Sequence, residues 1–124
     1  MEQIYIVEDD PIMAECLALA VQQQLQSVEI ATFRDAVAAM NGLGEKLPDL
    51  ILLDVLLSGP DGFTFLNELM SYQDTAQIPV ILVSSLDFSG QDLSHYGVVQ
   101  VLDKATMTPA AVATAVQTAL RRGK

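Results

Sequence analysis

The stretch Asp49-Leu50-Ile51-Leu52-Leu53-Asp54-Val55 decides the architecture. Leu50 to Leu53 is a continuous apolar run, entered after Pro48 and stopped at Asp54. A strand with one wet face alternates apolar and polar residues. This one does not, so both of its faces are buried. A strand covered on both sides belongs in a parallel sheet between two layers of helices.

Reading outward, Ile4 to Val7 and Val80 to Val83 have the same all-apolar character, the latter introduced by Pro79. Val28 to Phe33 alternates like a strand, and Val98 to Leu102 is the last strand candidate. The segments between them change period. Pro11 to Gln26 places Met13, Cys16, Leu17, Ala20 and Val21 three or four apart, with Asp10 as cap and Pro11 in the first turn. Asp35 opens a short helix through Met40, ended by Asn41-Gly42 and Gly44. Ser58 to Gly62 is a loop on its breaker content. Phe63 to Tyr72 reads as a helix with Phe63, Leu66 and Met70 or Leu69 facing inward. Asp87 to Tyr96 is a weak helix carrying Gly90 inside it. Thr108 caps a last helix that starts at Pro109, with Val112, Val116 and Leu120 on one stripe. Arg121 and Arg122 at its end suit the helix dipole. Five strands alternating with five helices predict an α/β fold: a doubly wound, five-stranded parallel sheet with helices on both faces. A closed barrel needs about twice the length.

The chain of 124 residues is read as a single domain, residues 1–124, and 51% hydrophobic against 18% charged residues is a globular composition. Sixteen acids face six bases, for a formal net charge of −10. The bases, Arg34, Lys46, Lys104, Arg121, Arg122 and Lys124, form no stripe. Direct grip on nucleic acid or on an anionic membrane is therefore disfavoured. The single cysteine, Cys16, excludes an internal disulfide and is expected as a small core residue. The first residues carry no basic region and no apolar run approaches membrane-spanning length, so the expected location is the cytoplasm. Met40 and Met70 read as core fill, while His95, Tyr72 and Tyr96 read as surface or half-buried residues.

In an open parallel sheet the site lies off the carboxyl ends of the strands. After the first strand come Glu8, Asp9 and Asp10; after the third, Asp54; after the fourth, Ser84 and Ser85; after the fifth, Asp103 and Lys104. Carboxylates crowded at one end repel unless a cation sits among them. Hard oxygen ligands without imidazole suit Mg²⁺, which favours a phosphoryl partner. An Asp carboxylate is a phosphoryl-accepting nucleophile. A phosphoryl group on Asp54 presents three oxygens, and the metal, the Lys104 ammonium and the Ser84 hydroxyl can take one each.

These residues give the chain a family likeness over nearly its whole length. With Val7-Glu8-Asp9-Asp10-Pro11, the run Asp49 to Val55, Asp61-Gly62-Phe63, Ser84 and the segment Gly97 to Lys104, it resembles the receiver domain of two-component response regulators. The resemblance implies a flavodoxin-like (βα)5 sandwich. It implies Asp54 as phosphoryl acceptor and Glu8, Asp9, Asp54 and the Leu56 carbonyl as Mg²⁺ ligands. Ser84 and Lys104 then contact the phosphoryl group, and Gly62 matches the family glycine eight residues past the acceptor. It also implies a histidine kinase or histidine phosphotransfer protein as partner. A protein-binding surface around the fourth helix, fifth strand and fifth helix would change on phosphorylation and could support a homodimer. An output domain is expected only in a longer parent protein, since Arg121-Arg122-Gly123-Lys124 resembles the start of a linker.

Three departures from the family stand out. Ala105 follows Lys104 where the family carries a proline in a cis bond, which for alanine costs about 3 kcal/mol. Ser58 replaces a proline, with Pro60 nearby. Val101 stands where an aromatic ring reports activation, and valine is small and stiff. Other readings compete with a phosphoacceptor. One is a receiver-like interaction module independent of phosphorylation. Another is an aspartyl-phosphate hydrolase, which would want an acid where Leu56 stands. A flavin carrier is opposed by the acidic run after the first strand.

Overall fold

The computed structural model describes residues 1–57, 61–86, 88 and 90–122. Five strands, β1 (Glu2–Val7), β2 (Val28–Phe33), β3 (Leu50–Leu53), β4 (Val80–Ser84) and β5 (Val98–Asp103), make one parallel sheet in the order β2-β1-β3-β4-β5. The helices are α1 (Pro11–Gln24), α2 (Ala36–Leu43), α3 (Gly62–Met70) and α4 (Pro109–Arg122). The absence of alternation in β3 has a direct cause. Ile51 and Leu53 pack into the layer beneath α2 and α3, with Phe65, Leu66 and Leu69. Leu50 and Leu52 pack into the layer beneath α1 and α4, with Leu17, Val21, Val112 and Val116. Both faces of one strand thus seed two cores.

Side-chain caps start the helices, three of them close behind a strand end. Asp10 accepts from the Ile12 amide, Asp35 from Ala38 at 2.8 Å, Asp61 from Thr64 at 2.9 Å and Thr108 from Ala111 at 3.1 Å. The N-terminal end of α1 follows β1 at once, and the Gly62 amide, donating to the Val55 carbonyl, returns that of α3 to the end of β3. These strands are neighbours, and the winding reverses between them, which opens a crevice at their carboxyl ends.

Several local expectations are corrected. Among the described residues of 87–96 the expected helix is not formed. Asp87 and Ser89 lie outside the described residues, and the chain beyond them closes in a single 3₁₀ turn, Ser94–Tyr96. Gly90 takes φ +81°, which no right-handed helix contains, and Asp92 accepts from the Ser94 amide in a competing local turn. Among the described residues the sheet therefore has four α-helices around it, and the expected fifth helix is α4. Cys16 is exposed, because Ala14, Leu17, Ala20 and Val21 form the buried stripe of α1. Met70 is also exposed; Phe65, Leu66 and Leu69 face inward, and Phe63 is half-buried edge-on to Phe88 and Tyr96. Met40 packs against the core as expected. Asn41-Gly42 lies within α2, which runs on to Leu43, and α1 stops at Gln24. The predicted loop splits: Ser58-Gly59-Pro60 lies outside the described residues, while Asp61 is a cap and Gly62 opens α3. Gly123 and Lys124 also lie outside them.

Gly62 ties α3 to the end of β3. Its amide donates to the Val55 carbonyl at 2.9 Å, and a Cβ there would stand 2.5 Å from Val55 Cα and 2.9 Å from the Asp54 carbonyl oxygen. Both contacts are backbone, so neither can swing aside. Gly62→Ala is expected to destabilise the protein by about 1–3 kcal/mol, read as a lowered midpoint in urea unfolding.

Candidate phosphoacceptor site

Glu8, Asp9, Asp54 and Lys104 meet at the carboxyl end of the sheet. Glu8 follows β1, its amide donating to the Phe33 carbonyl of the neighbouring strand at 2.9 Å. Asp54 follows β3, its amide donating to the Val7 carbonyl at 3.0 Å. The parallel ladder continues one residue past each strand, and that residue is a carboxylate. Lys104 follows β5 and donates its amide to the Ser84 carbonyl at 3.0 Å. Its ammonium nitrogen stands 2.8 Å from Glu8 Oε1 and 3.1 Å from Asp54 Oδ2. It donates a hydrogen bond to Asp54 Oδ2.

The electrostatics are unbalanced. One oxygen each of Glu8, Asp9 and Asp54 falls within 4.8 Å of the others. One ammonium faces three carboxylates. The Glu8 side chain is 1% exposed and that of Asp54 4%. Burial pushes the Glu8 carboxyl up to about 7, with the Asp54 carboxylate adding to the rise, although Lys104 and the Asp10 amide pull it down. Burial alone would lower the Lys104 ammonium, but hydrogen bonding to Glu8 and Asp54 outweighs it and its pKa is raised.

The hydrogen bonds orient the carboxylates. Asp54 Oδ1 accepts from the Leu56 amide at 3.0 Å, and Glu8 Oε2 accepts from the Asp10 amide at 3.2 Å. Glu8 Oε1 is buried and faces the Lys104 ammonium at 2.8 Å, a single cation that it shares with Asp54. A buried carboxylate oxygen left in that state, beside two more carboxylates, is what a hard divalent cation satisfies. The donor set fits such an ion. Ser84 is fully buried at the end of β4, and among the described residues its hydroxyl oxygen has the Leu86 amide as partner, at 3.0 Å. Leu56 is exposed, its amide committed to Asp54. A cleft of about 670 Å³ opens beside Glu8 and Asp9, walled by Pro11, Glu15, Thr32 and Arg34.

Sequence reading passed over two contributions. The Asp10 amide steadies Glu8, and Asp103 accepts from the Ala105 amide at 2.8 Å. The signal for the second was visible as an Asp two residues before a backbone amide in a turn, the pattern of an Asx turn. No peptide bond among the described residues is cis, so Lys104 is presented by a trans bond to Ala105.

The family model of the response regulator receiver domain matches residues 4–117. The chain belongs to that family. This receiver domain is 36% identical over 88 residues to response regulator PleD of Caulobacter vibrioides, covering 71% of the chain and 19% of the relative. It is 31% identical over 107 residues to a protein-glutamate methylesterase/protein-glutamine glutaminase of Pseudomonas syringae pv. tomato, covering 83% of the chain and 29% of the relative. The domain thus spans under a third of the length of these curated relatives. The signal receiver domain of a histidine kinase from Syntrophus aciditrophicus superposes with a TM-score of 0.83 at 28% identity, over 98% of this chain and 92% of that one. Among the described residues no helix is long and apolar enough to cross a membrane.

The raised Glu8 carboxyl has a consequence for stability. The folded state keeps a proton that the unfolded chain releases above the ordinary carboxyl range. Glu8 therefore contributes stability that is fully present below its unfolded pKa and is lost as pH rises through about 7. In chelator, the urea midpoint should fall between about pH 5 and about pH 8, and Glu8→Gln should flatten that slope. A Glu8→Gln profile as steep as the parent's would assign the slope to other groups.

Proposed function

We propose that this receiver domain takes a phosphoryl group onto Asp54 from a phosphohistidine of a histidine kinase or phosphotransfer protein. The observation that carries this reading is the placement of Lys104 between Glu8 and Asp54, with Asp9 alongside. An Asp54 carboxylate oxygen attacks phosphorus in line. The new O–P bond forms as the P–N bond breaks, and the electron pair leaves with the imidazole nitrogen. The Leu56 amide orients Asp54 through Oδ1, leaving Oδ2 toward Lys104. The Lys104 ammonium compensates charge on the transferred group, and the Ser84 hydroxyl rotates from the Leu86 amide to donate to it. Glu8, Asp9, Asp54 and the Leu56 carbonyl would hold Mg²⁺, which when bound neutralises the developing phosphoryl charge.

The partner is a protein. Exposed Ile12, Leu56 and Leu86 follow the same strand ends as the acidic residues and offer apolar area that a small phosphodonor does not need. Residues 1–124 act as one domain, working in the cytoplasm, with output supplied by a separate protein or by further segments of a longer parent. Among the described residues the expected dimer face around a fourth helix lacks that helix. Val101 is exposed at the sheet edge and has no ring to reorient. Output therefore runs through the turn after β4, which Ser84 anchors at the Leu86 amide. That same feature supports a second reading, a docking module indifferent to phosphorylation.

Intact mass after incubation with acetyl phosphate separates the two. A single phosphoryl adduct is expected that needs Mg²⁺ and is absent in EDTA or in Asp54→Ala. Lys104→Ala should slow its formation by on the order of a hundredfold. A folded, Mg²⁺-binding protein that acquires no adduct from acetyl phosphate or from a phosphorylated phosphotransfer protein would leave the docking module.

A further inference from the structure

Lys104 reaches the acidic end of the sheet from a turn that begins where β5 stops. A lysine stem is long and flexible, so the bearing of its ammonium depends on how firmly the backbone beneath it is held. Behind Lys104 the chain is pinned to β4, the Lys104 amide donating to the Ser84 carbonyl at 3.0 Å. Ahead of it, one residue closes the turn twice. The Asp103 carboxylate accepts from the Ala105 amide at 2.8 Å. The Asp103 carbonyl accepts from the Thr106 amide at 3.2 Å and from the Met107 amide at 2.8 Å. The side-chain bond is an Asx turn, spanning the peptide unit that carries Lys104. Asp103 is exposed and belongs to neither core, so packing gives no reason for its carboxylate.

We propose that Asp103 is a positioning residue, whose carboxylate fixes the turn that aims the Lys104 ammonium at Glu8 and Asp54. Its effect on phosphorylation rests on the reading of Asp54 as acceptor; its effect on Lys104 does not. Without the side-chain acceptor the Ala105 amide turns to water, the turn samples other shapes, and Lys104 keeps its charge but loses its bearing.

The test compares Asp103→Ala and Asp103→Asn with the parent chain by two readouts. Asparagine removes the same charge but keeps an oxygen that accepts the same bond. The first readout is the rate of adduct formation from acetyl phosphate. It should fall about tenfold in Asp103→Ala, a modest cost for misplacing a charged group near reacting atoms. Asp103→Asn should stay within about twofold of the parent, since its amide oxygen restores the acceptor. The second is competitive labelling with acetic anhydride, read by peptide mass, with exposed Lys46 as internal reference. Lys104, held between two carboxylates, should label about fivefold faster relative to Lys46 in Asp103→Ala, and unchanged in Asp103→Asn, the ratio one ordinary hydrogen bond sustains. Parental labelling in Asp103→Ala overturns the proposal. So does an equal shift in both variants, which would make the effect one of charge. A parent chain that forms no adduct would count against the acceptor reading alone, because labelling decides the role of Asp103 by itself.

Discussion

The ammonium of Lys104 between the carboxylates of Glu8 and Asp54 joins the ends of three strands, β5, β1 and β3. Two nearly dry carboxylates cannot stand so close at the end of an apolar sheet without a cation. Such a pair is a weak source of net stability, because desolvation offsets much of the attraction. Removing one member, however, leaves a buried charge uncompensated. The site is thus tolerated by the fold and not demanded by it, which is the condition for a group kept for chemistry. Burial, with the Asp54 carboxylate beside it, leaves Glu8 reluctant to ionise, and three acids to one base leave the cluster suited to a second cation.

Close packing around β3 makes that geometry rigid. The strand is covered by two cores, and the ladder continues into Asp54 through the Val7 carbonyl. Beyond the loop that follows, Gly62 lets α3 start against the backbone of Asp54 and Val55, at a distance no side chain permits. The Leu56 amide then takes up one oxygen of Asp54. Asp54 is therefore held from the strand, from the loop and from the helix beyond it, and has little freedom in its main chain.

The opposite is true at the β5 side of the sheet. Among the described residues the segment between β4 and β5 builds no α-helix, and Val99 and Val101 are left exposed on an edge strand. Phe63, Phe88 and Tyr96 meet edge-on where a helix would otherwise pack. Leu93 is buried in the core here, and polar contacts such as the Ser84–Leu86 bond and the Asp103 turn hold the chain on either side.

The sequence alone determined the strands, the two-layered burial of β3 and the chemistry gathered at the strand ends. Those features rest on hydrophobic period and on residue type, which are local. It also carried the caps, since Asp10, Asp35, Asp61 and Thr108 act within three residues of themselves. Tertiary structure decided the rest. Cys16 and Met70 have apolar character but lie on helix faces that no layer covers, and only the docking angle of a helix says which face that is. Among the described residues of 87–96 the weak helical pattern lost to a left-handed glycine and an Asx turn, both of them local conformations that a helix excludes. The distances that make a site, 2.8 Å and 3.1 Å from Lys104 to two carboxylates, join residues far apart in the chain. Such distances come from strand order and register, which no local pattern encodes.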